Sequence, residues 1–136
     1  DATYQICTIL CSRTPHAHIK IEEWSTREEE FVRRASFALI ASLAVHGKTI
    51  DETQFIAWLT TIESASDDPR NFVKKAVNWA LRQIGKRSLS LRDEAIATAE
   101  TLLERDSPAA RWIAHDALRE LHRPDIIERL RRKAGA

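Results

Sequence analysis

The sequence has few of the residues that mark specialised protein classes: two Cys, three Gly, four Pro and no Met in 136 residues. Two Cys are too few for the disulfide framework of a small secreted domain. Cys7 and Cys11 lie four residues apart in what reads as a short helix, so we expect both to be reduced and the protein to be intracellular. The low Gly and Pro content, with 43% hydrophobic and 30% charged residues, excludes a disordered or collagen-like chain. We expect a single domain over residues 1–136.

Targeting and membrane signals are also missing. No apolar run approaches the roughly 18 residues of a membrane span, and the N-terminus lacks the basic-then-apolar pattern of a signal peptide. These features predict a soluble, cytoplasmic protein. Because the chain contains no Met, we expect either that it was cut from a longer product or that modified residues are missing from it.

Charge alone indicates no partner, because 21 basic residues nearly cancel 20 acidic ones and leave a net charge of +1. The basic residues are unevenly divided, with 15 Arg against 6 Lys. Arginine suits bidentate contact with phosphate or carboxylate better than lysine does. The five His have no metal-ligand spacing, and His16 and His18 would point in different directions on a helix. The sequence also has no Gly-rich phosphate loop and no nucleophile motif.

Helix signals dominate the chain, and no stretch alternates with period two for long enough to indicate a sheet. Eight helices are predicted, of which the first contains the two Cys. The other seven are predicted from their start signals and breakers: Thr14-Pro15 to about Trp24, Ser25 with Glu28 to about His46, Asp51 with Gln54 to about Ser64, Asp68-Pro69 to about Arg87, Ser90 with Asp93 to about Arg105, Ser107-Pro108 to about His122, and Pro124 to about Lys133.

Two segments repeat along the chain. Phe31-Val-Arg-Arg-Ala35 returns as Phe72-Val-Lys-Lys-Ala76, and Ala80-Leu-Arg82 returns as Ala117-Leu-Arg119. A period of about 40 residues, with two helices in each unit, is typical of a HEAT-like solenoid. The fold class that follows is all-α, an α-α superhelix of seven to eight helices.

A helical projection of the segment from Pro69 separates an apolar side from a polar one. The polar side contains Lys74, Lys75, Asn78 and Arg82, while the apolar side consists of Phe72, Val73, Ala76, Val77, Ala80, Leu81 and Ile84. Trp79 lies at the border, between Lys75 at i−4 and Arg82 at i+3, which predicts a stripe of cation, indole and cation. Arg34 occupies the place of Lys75 in the preceding repeat, so stacked units would align these cations. An external anion is the expected partner of Arg34, Lys75 and Arg82, because neither Lys75 nor Arg82 has a carboxylate four residues away on its own helix.

Several residues have a simpler interpretation. Trp24, Trp58 and Trp112 are expected to pack between helices. Arg33, Arg111 and Arg119 are expected to form inter-helix ion pairs with residues such as Asp116 and Glu120. The basic C-terminal residues, which are Arg129, Arg131, Arg132 and Lys133, are interpreted as a solvated helix end, with extra phosphate contacts as the alternative.

The sequence resembles the AlkD-like DNA alkylation repair glycosylases, which are built from HEAT-like repeats. The resemblance covers nearly the whole chain in order, and it lies in five segments: Arg13-Thr-Pro15, Glu23-Trp-Ser25, Glu29-Glu-Phe-Val-Arg-Arg-Ala35, Phe72-Val-Lys-Lys-Ala-Val-Asn-Trp-Ala-Leu-Arg-Gln-Ile-Gly85 and Ala110-Arg-Trp-Ile-Ala-His-Asp-Ala-Leu118. The resemblance implies a basic groove that binds duplex DNA and hydrolyses the N-glycosidic bond of a cationic alkylated purine, of the 7-methylguanine or 3-methyladenine type. It implies no metal and no cofactor.

By motif position, the resemblance assigns Trp79 as an aromatic beside the sugar, and Arg34 and Arg82 as arginines that hold the backbone. The residues expected to contact DNA are Arg33, Arg34, Lys74, Lys75, Arg82 and Arg111. Tyr4 aligns with the catalytic Asp of the family, and a phenol with a pKa of about 10 supplies no negative charge at neutral pH. The family's N-terminal repeats have no counterpart in this sequence. Together these departures predict a truncated or catalytically impaired relative.

Two functions from different classes remain open. The first is a DNA alkylation repair protein, catalytic or not, that acts as a monomer on duplex DNA and associates with the nucleoid. The second is a HEAT-like scaffold whose groove holds an acidic protein partner. Binding to duplex DNA would distinguish them.

Overall fold

The computed structural model describes the backbone of residues 14–135 and the side chains of residues 17–135. This part of the chain is all helical and contains no strand, which confirms the predicted fold class. It forms seven helices: α1 (Thr14–Ser25), α2 (Glu30–His46), α3 (Glu52–Ala65), α4 (Asn71–Gly85), α5 (Leu89–Leu103), α6 (Pro108–Leu121) and α7 (Pro124–Gly135). The predicted helix with Cys7 and Cys11 lies outside the described residues.

Two of the predicted helix starts are confirmed in detail. The Asp51 side chain accepts a hydrogen bond from the Thr53 amide and caps α3. The Ser107 hydroxyl accepts one from the Ala110 amide, and Pro108 follows as the first residue of α6. Each cap provides an acceptor for an amide that has no partner within the helix.

Two other predicted starts are wrong. Ser25 does not open a capping box with Glu28, because it is the last residue of α1 and its hydroxyl donates to the Glu22 carbonyl at 3.3 Å. The next helix, α2, begins at Glu30 without a side-chain cap. The cap of α5 is Ser88, which accepts from the Leu91 amide at 3.1 Å, and not Ser90. Both errors come from choosing one of several nearby polar residues by spacing alone.

The helices pack in two layers. In one layer α4 lies between α2 and α6, and in the other α5 lies between α3 and α7, while α1 covers α2. Links between the layers include α4 with α5 and α5 with α6. The arrangement is consistent with an α-α superhelix. The repeated Phe-Val segments begin α2 and α4, two neighbours in the first layer, so the sequence repeat corresponds to a structural one.

A continuous apolar core runs between the layers. Its largest fully buried side chains include Trp58, Phe37 and Phe55, and the burial of Trp58 confirms its predicted packing role. Gly85 lies where α4, α5 and α6 meet, because a Cβ on it would be 2.6 Å from a Leu121 methyl and 3.1 Å from the Ala95 Cβ. The close packing of these three helices therefore requires the absence of a side chain at Gly85.

Arginines link successive units by donating to backbone carbonyls of the preceding unit. The Arg70 guanidinium donates to the Glu28 carbonyl at 2.7 Å, and that of Arg105 to the Glu63 carbonyl at 2.7 Å. Arg87 donates to the carbonyls of Ala44 at 2.9 Å and Gly47 at 2.7 Å, at the end of α2. The carbonyls of Ala44 and Glu63 lie in the last turns of α2 and α3, where carbonyls lack partners within the helix, and the Glu28 carbonyl lies in the loop between α1 and α2. The guanidinium groups provide these carbonyls with donors from the next unit. Part of the Arg excess therefore has a structural role.

No helix in the described range combines the length and the apolar character that a membrane crossing requires.

Candidate nucleic-acid interface

Three large aromatic side chains are exposed at successive positions of the first layer. Phe31 of α2 is 65% exposed, Phe72 of α4 is 49% exposed and Trp112 of α6 is 39% exposed. Each of the three helices contributes one ring near its start, so the rings follow the repeat. A regular series of exposed rings is more informative than one exposed apolar residue, because clustered apolar surface marks interaction sites.

Cations lie over two of these rings. The Arg34 guanidinium carbon is 5.2 Å from the centre of the Phe72 ring, and the Lys74 Nζ is 4.6 Å from that of Trp112. In both cases the cation comes from the preceding helix of the first layer. These distances are within the range of cation–π attraction. Each contact holds a positive charge at the surface beside an exposed ring.

Lys75 adds a further charge on the solvent side of α4. Its side chain is exposed, and among the described residues this side chain has no ion pair and no hydrogen bond. We refer to the whole set as the aromatic–cation row, which consists of Phe31, Arg34, Phe72, Lys74, Lys75 and Trp112. The row extends over α2, α4 and α6 and contains three positive charges and no carboxylate.

The predicted stripe of Lys75, Trp79 and Arg82 is only partly present. Trp79 is half-buried and packs against the core. The prediction that Arg82 lacks a carboxylate partner is wrong, because its guanidinium lies 3.4 Å from a Glu120 oxygen and 3.7 Å from an Asp116 oxygen. Both carboxylates belong to α6, so no inspection of spacings within α4 could reveal them. Arg82 is therefore committed to an inter-helix ion pair.

Asn78 belongs to the same network. It was predicted on the polar side of α4, yet it is 3% exposed, and its Nδ2 donates to an Asp116 oxygen at 2.7 Å. Farther along the chain, Lys86 lies 3.0 Å from Glu120. The carboxylates of α6 thus pair with Arg82 and Lys86 on this face, whereas Lys75 has no such partner among the described residues.

Arg33 forms an ion pair, as predicted, although its partner is Asp68 and not Asp116 or Glu120. Its Nη1 donates to Asp68 at 2.8 Å, and Arg70 donates to the same carboxylate at 2.7 Å. Hydrogen bonds from Arg70 and then Arg33 lower the pKa of Asp68 to about 2, against the opposing effect of burial. Because the Arg33 side chain is only 17% exposed, it is poorly placed to contact DNA.

Arg111 and Arg119 also have internal partners. Arg111 lies 3.7 Å from Asp106 and donates to the Arg105 carbonyl at 3.1 Å. Arg119 lies 3.3 Å from Asp116, one turn before it on the same helix, so the expected inter-helix pair is wrong. The Arg111 side chain remains 43% exposed near the start of α6, at the edge of the row.

The three exposed rings were not predicted from the sequence. The assignment of Phe72 to the buried side of its helix is wrong, and Trp112, which was expected to pack between helices, is 39% exposed. Phe72 is the second residue of α4, where the neighbouring helices no longer cover the apolar side of the helix. The recurrence of Phe31 as Phe72 in the repeat was the available signal. Tyr4 lies outside the described residues, so its predicted role stays a prediction.

Within the described range, no three His, Cys, Asp or Glu side chains cluster closely enough to hold a metal ion.

Comparison with protein families gives an informative match: the model described as DNA alkylation repair enzyme covers residues 1–127 of this chain. Neither a curated protein nor a solved structure matches.

Proposed function

The chain belongs to the DNA alkylation repair enzyme family, and on this basis we propose that its aromatic–cation row binds duplex DNA containing a cationic alkylated purine. The observation that carries the proposal is the row itself: exposed rings from three successive units, with Arg34 and Lys74 placed on two of them. DNA is the partner that the family suggests, and the row has the charge and the rings that such a partner needs.

The cations of the row account for binding to the backbone. Phosphates dominate the affinity of proteins for DNA, and each neutralised phosphate releases condensed counterions. Lys75 is exposed and has no internal carboxylate among the described residues, so a phosphate can approach it without displacing a partner. The Lys74 Nζ and the Arg34 guanidinium each lie against an uncharged ring, Trp112 and Phe72, beside Lys75 in the row.

The rings of the row account for preference for a damaged base. An alkylated purine such as 7-methylguanine or 3-methyladenine carries a positive charge, which the electron-rich face of an aromatic ring attracts. Phe31 is 65% exposed, and among the described residues no cation lies over its ring, so it is the ring of the row most open to such a base. The half-buried Trp79 on α4 is a further candidate. Normal purines are neutral and gain only ordinary stacking.

We propose further that the chain slowly hydrolyses the N-glycosidic bond of the alkylated purine. Departure of the base leaves positive charge on the sugar, which a nearby anion would stabilise. Tyr4 holds the aligned position of the family's Asp and is neutral at pH 7. The proposal therefore combines binding of the lesion with slow hydrolysis.

The test measures release of 7-methylguanine and 3-methyladenine from methylated duplex DNA by the wild-type chain and by Tyr4→Asp. We expect slow release by the wild type and faster release by Tyr4→Asp. Binding without release in either protein would favour a non-catalytic DNA-binding relative. Absence of both binding and release would refute the proposal and favour a scaffold for an acidic protein partner, which pull-down with the same chain would detect.

A further inference from the structure

A second basic region lies at the far end of the first layer. Two adjoining hollows, of about 410 and 360 Å³, share Ala44, Val45, Arg87 and Lys133 as lining residues and form one cleft. The cleft lies where the C-terminal ends of α2 and α4 meet α7. Five cations line it and only one carboxylate, Glu52; the cations are Lys48, Lys86, Arg87, Arg129 and Lys133.

Some of these cations build the cleft. Arg87 donates to the carbonyls of Ala44 and Gly47, and its ring contact with Phe55, at 4.5 Å, holds the guanidinium in place. Lys133 Nζ donates to the Arg87 carbonyl at 2.9 Å, which ties α7 to the end of α4. These hydrogen bonds occupy donors of Arg87 and Lys133, but they add no negatively charged group to the cleft.

Other cations remain available to a ligand. The side chains of Lys48 and Arg129 are exposed, and among the described residues neither side chain has an ion pair or a hydrogen bond. Lys86 lies 3.0 Å from Glu120, which is not in the lining. The negative end of the helix dipole attracts cations, which explains basic residues in the last turn of a helix. It does not explain Arg129, which lies in the middle of α7.

We propose that this cleft binds phosphates of the same DNA duplex, on the stretch that flanks the aromatic–cation row. The inference rests on the proposed function, because it assumes that the row binds DNA. Lys75 of the row lies on α4, and Lys86 of the cleft is the C-cap of the same helix. They are about three turns apart, which is roughly 17 Å along the helix axis, or about five base pairs at roughly 3.4 Å each. Arg129 and Lys133 were expected at a solvated helix end, and the structure brings both into a cleft with three other cations.

The experiment compares the salt dependence of binding to a 20-base-pair duplex for the wild type, Lys48→Gln/Arg129→Gln and Arg131→Gln. Arg131 is the matched control, since it is an exposed arginine of α7 outside the cleft lining. Thermal denaturation shows whether each variant is folded. Loss of two phosphate contacts should reduce the slope of log affinity against log salt by about 1.8 and weaken binding about tenfold, with the control unchanged.

The outcomes separate this inference from the proposed function. If the wild type does not bind the duplex, the proposed function fails. If the wild type binds and the double variant keeps its slope, the cleft inference alone fails. A polyglutamate peptide serves as a second probe: if the double variant loses affinity for the peptide and keeps its affinity for DNA, the cleft is a site for acidic protein, and the inference is overturned.

Discussion

At the scale of single residues, the arginines and aromatics of this chain fall into groups that their sequence positions do not distinguish. Arg33 and Arg70 hold a buried carboxylate, Arg87 satisfies carbonyls, and Arg34 lies on an exposed ring. Likewise Trp58 is 2% exposed and Trp112 is 39% exposed. The role of each depends on what the neighbouring unit places against it.

Asp68→Asn should lower the free energy of unfolding by about 2 to 3 kcal/mol at pH 7, because it leaves Arg33 and Arg70 without their shared carboxylate. Urea denaturation measures this change. Asp67→Asn is the control: Asp67 is exposed, and its only described partner is Arg105 at 3.3 Å, so the expected loss is below about 1 kcal/mol. Equal losses in the two variants would contradict the buried role of Asp68.

The same carboxylate predicts a pH dependence. The pKa of Asp68 is about 2 in the folded chain, below its ordinary value of 3.8. Its contribution to stability is therefore full above pH 4 and is lost as the pH falls from 4 towards 2. In urea denaturation at pH 5 and pH 3, the wild type should lose more stability than Asp68→Asn does. An equal loss would show that the low pKa of Asp68 does not support folding.

The two tryptophans give a paired prediction on stability. Trp58→Ala should cost about 3 to 5 kcal/mol, since it empties a core position. Trp112→Ala should cost less, about 1 to 2 kcal/mol, because 39% of Trp112 is exposed to solvent and its side chain is only partly covered. Denaturation of both variants measures the difference. A large loss of stability in Trp112→Ala would make that ring a packing residue, as the sequence alone indicated.

At the scale of helices, most elements are predictable and their exact starts are not. Asp51 and Ser107 are identified as caps because Gln54 lies three residues after Asp51 and Pro108 directly follows Ser107. Near α5 there are two serines, Ser88 and Ser90, and the spacing rule chose the wrong one. Which serine caps depends on where the preceding turn ends.

This leads to a test at the start of α5. Ser88→Ala should destabilise the chain by about 1 to 2 kcal/mol, because it removes the cap on the Leu91 amide. Ser90→Ala is the matched control and should change stability by less than about 0.5 kcal/mol, since Ser90 is exposed within the helix. Thermal denaturation of the two variants measures the two changes in stability. The reverse order would favour the helix start at Ser90 that the sequence suggested.

At the scale of the whole molecule, the repeat is readable from the sequence and the contacts between units are not. The segments beginning at Phe31 and Phe72 predict stacked units, and α2 and α4 do stack. Phe72 is the repeat counterpart of Phe31, yet the residue of α2 that meets its ring is Arg34, nearly one turn farther along. One turn is a shift of about 5 Å along the helix axis. The repeat does not reveal this offset, so the partner of each cation could not be identified from the aligned segments.

The register between units also explains why the candidate site could be predicted only in part. Arg34, Lys74 and Lys75 were expected at a basic surface, and the structure places them in the row. Arg82 was expected there too, but its partners Asp116 and Glu120 come from α6. A carboxylate on another helix gives no signal within α4, so its effect appears only when the packing is known.

The most direct measurement is the affinity of the purified chain for a 20-base-pair duplex at salt concentrations from about 50 to about 200 mM, by fluorescence anisotropy. The three cations of the row predict binding whose log affinity falls with log salt with a slope of about −2.7, or steeper if the second cleft also contacts phosphates. Lys74→Gln/Lys75→Gln should reduce that slope by about 1.8. An absence of binding, or binding indifferent to salt and to this double variant, would contradict a DNA-binding role for the aromatic–cation row.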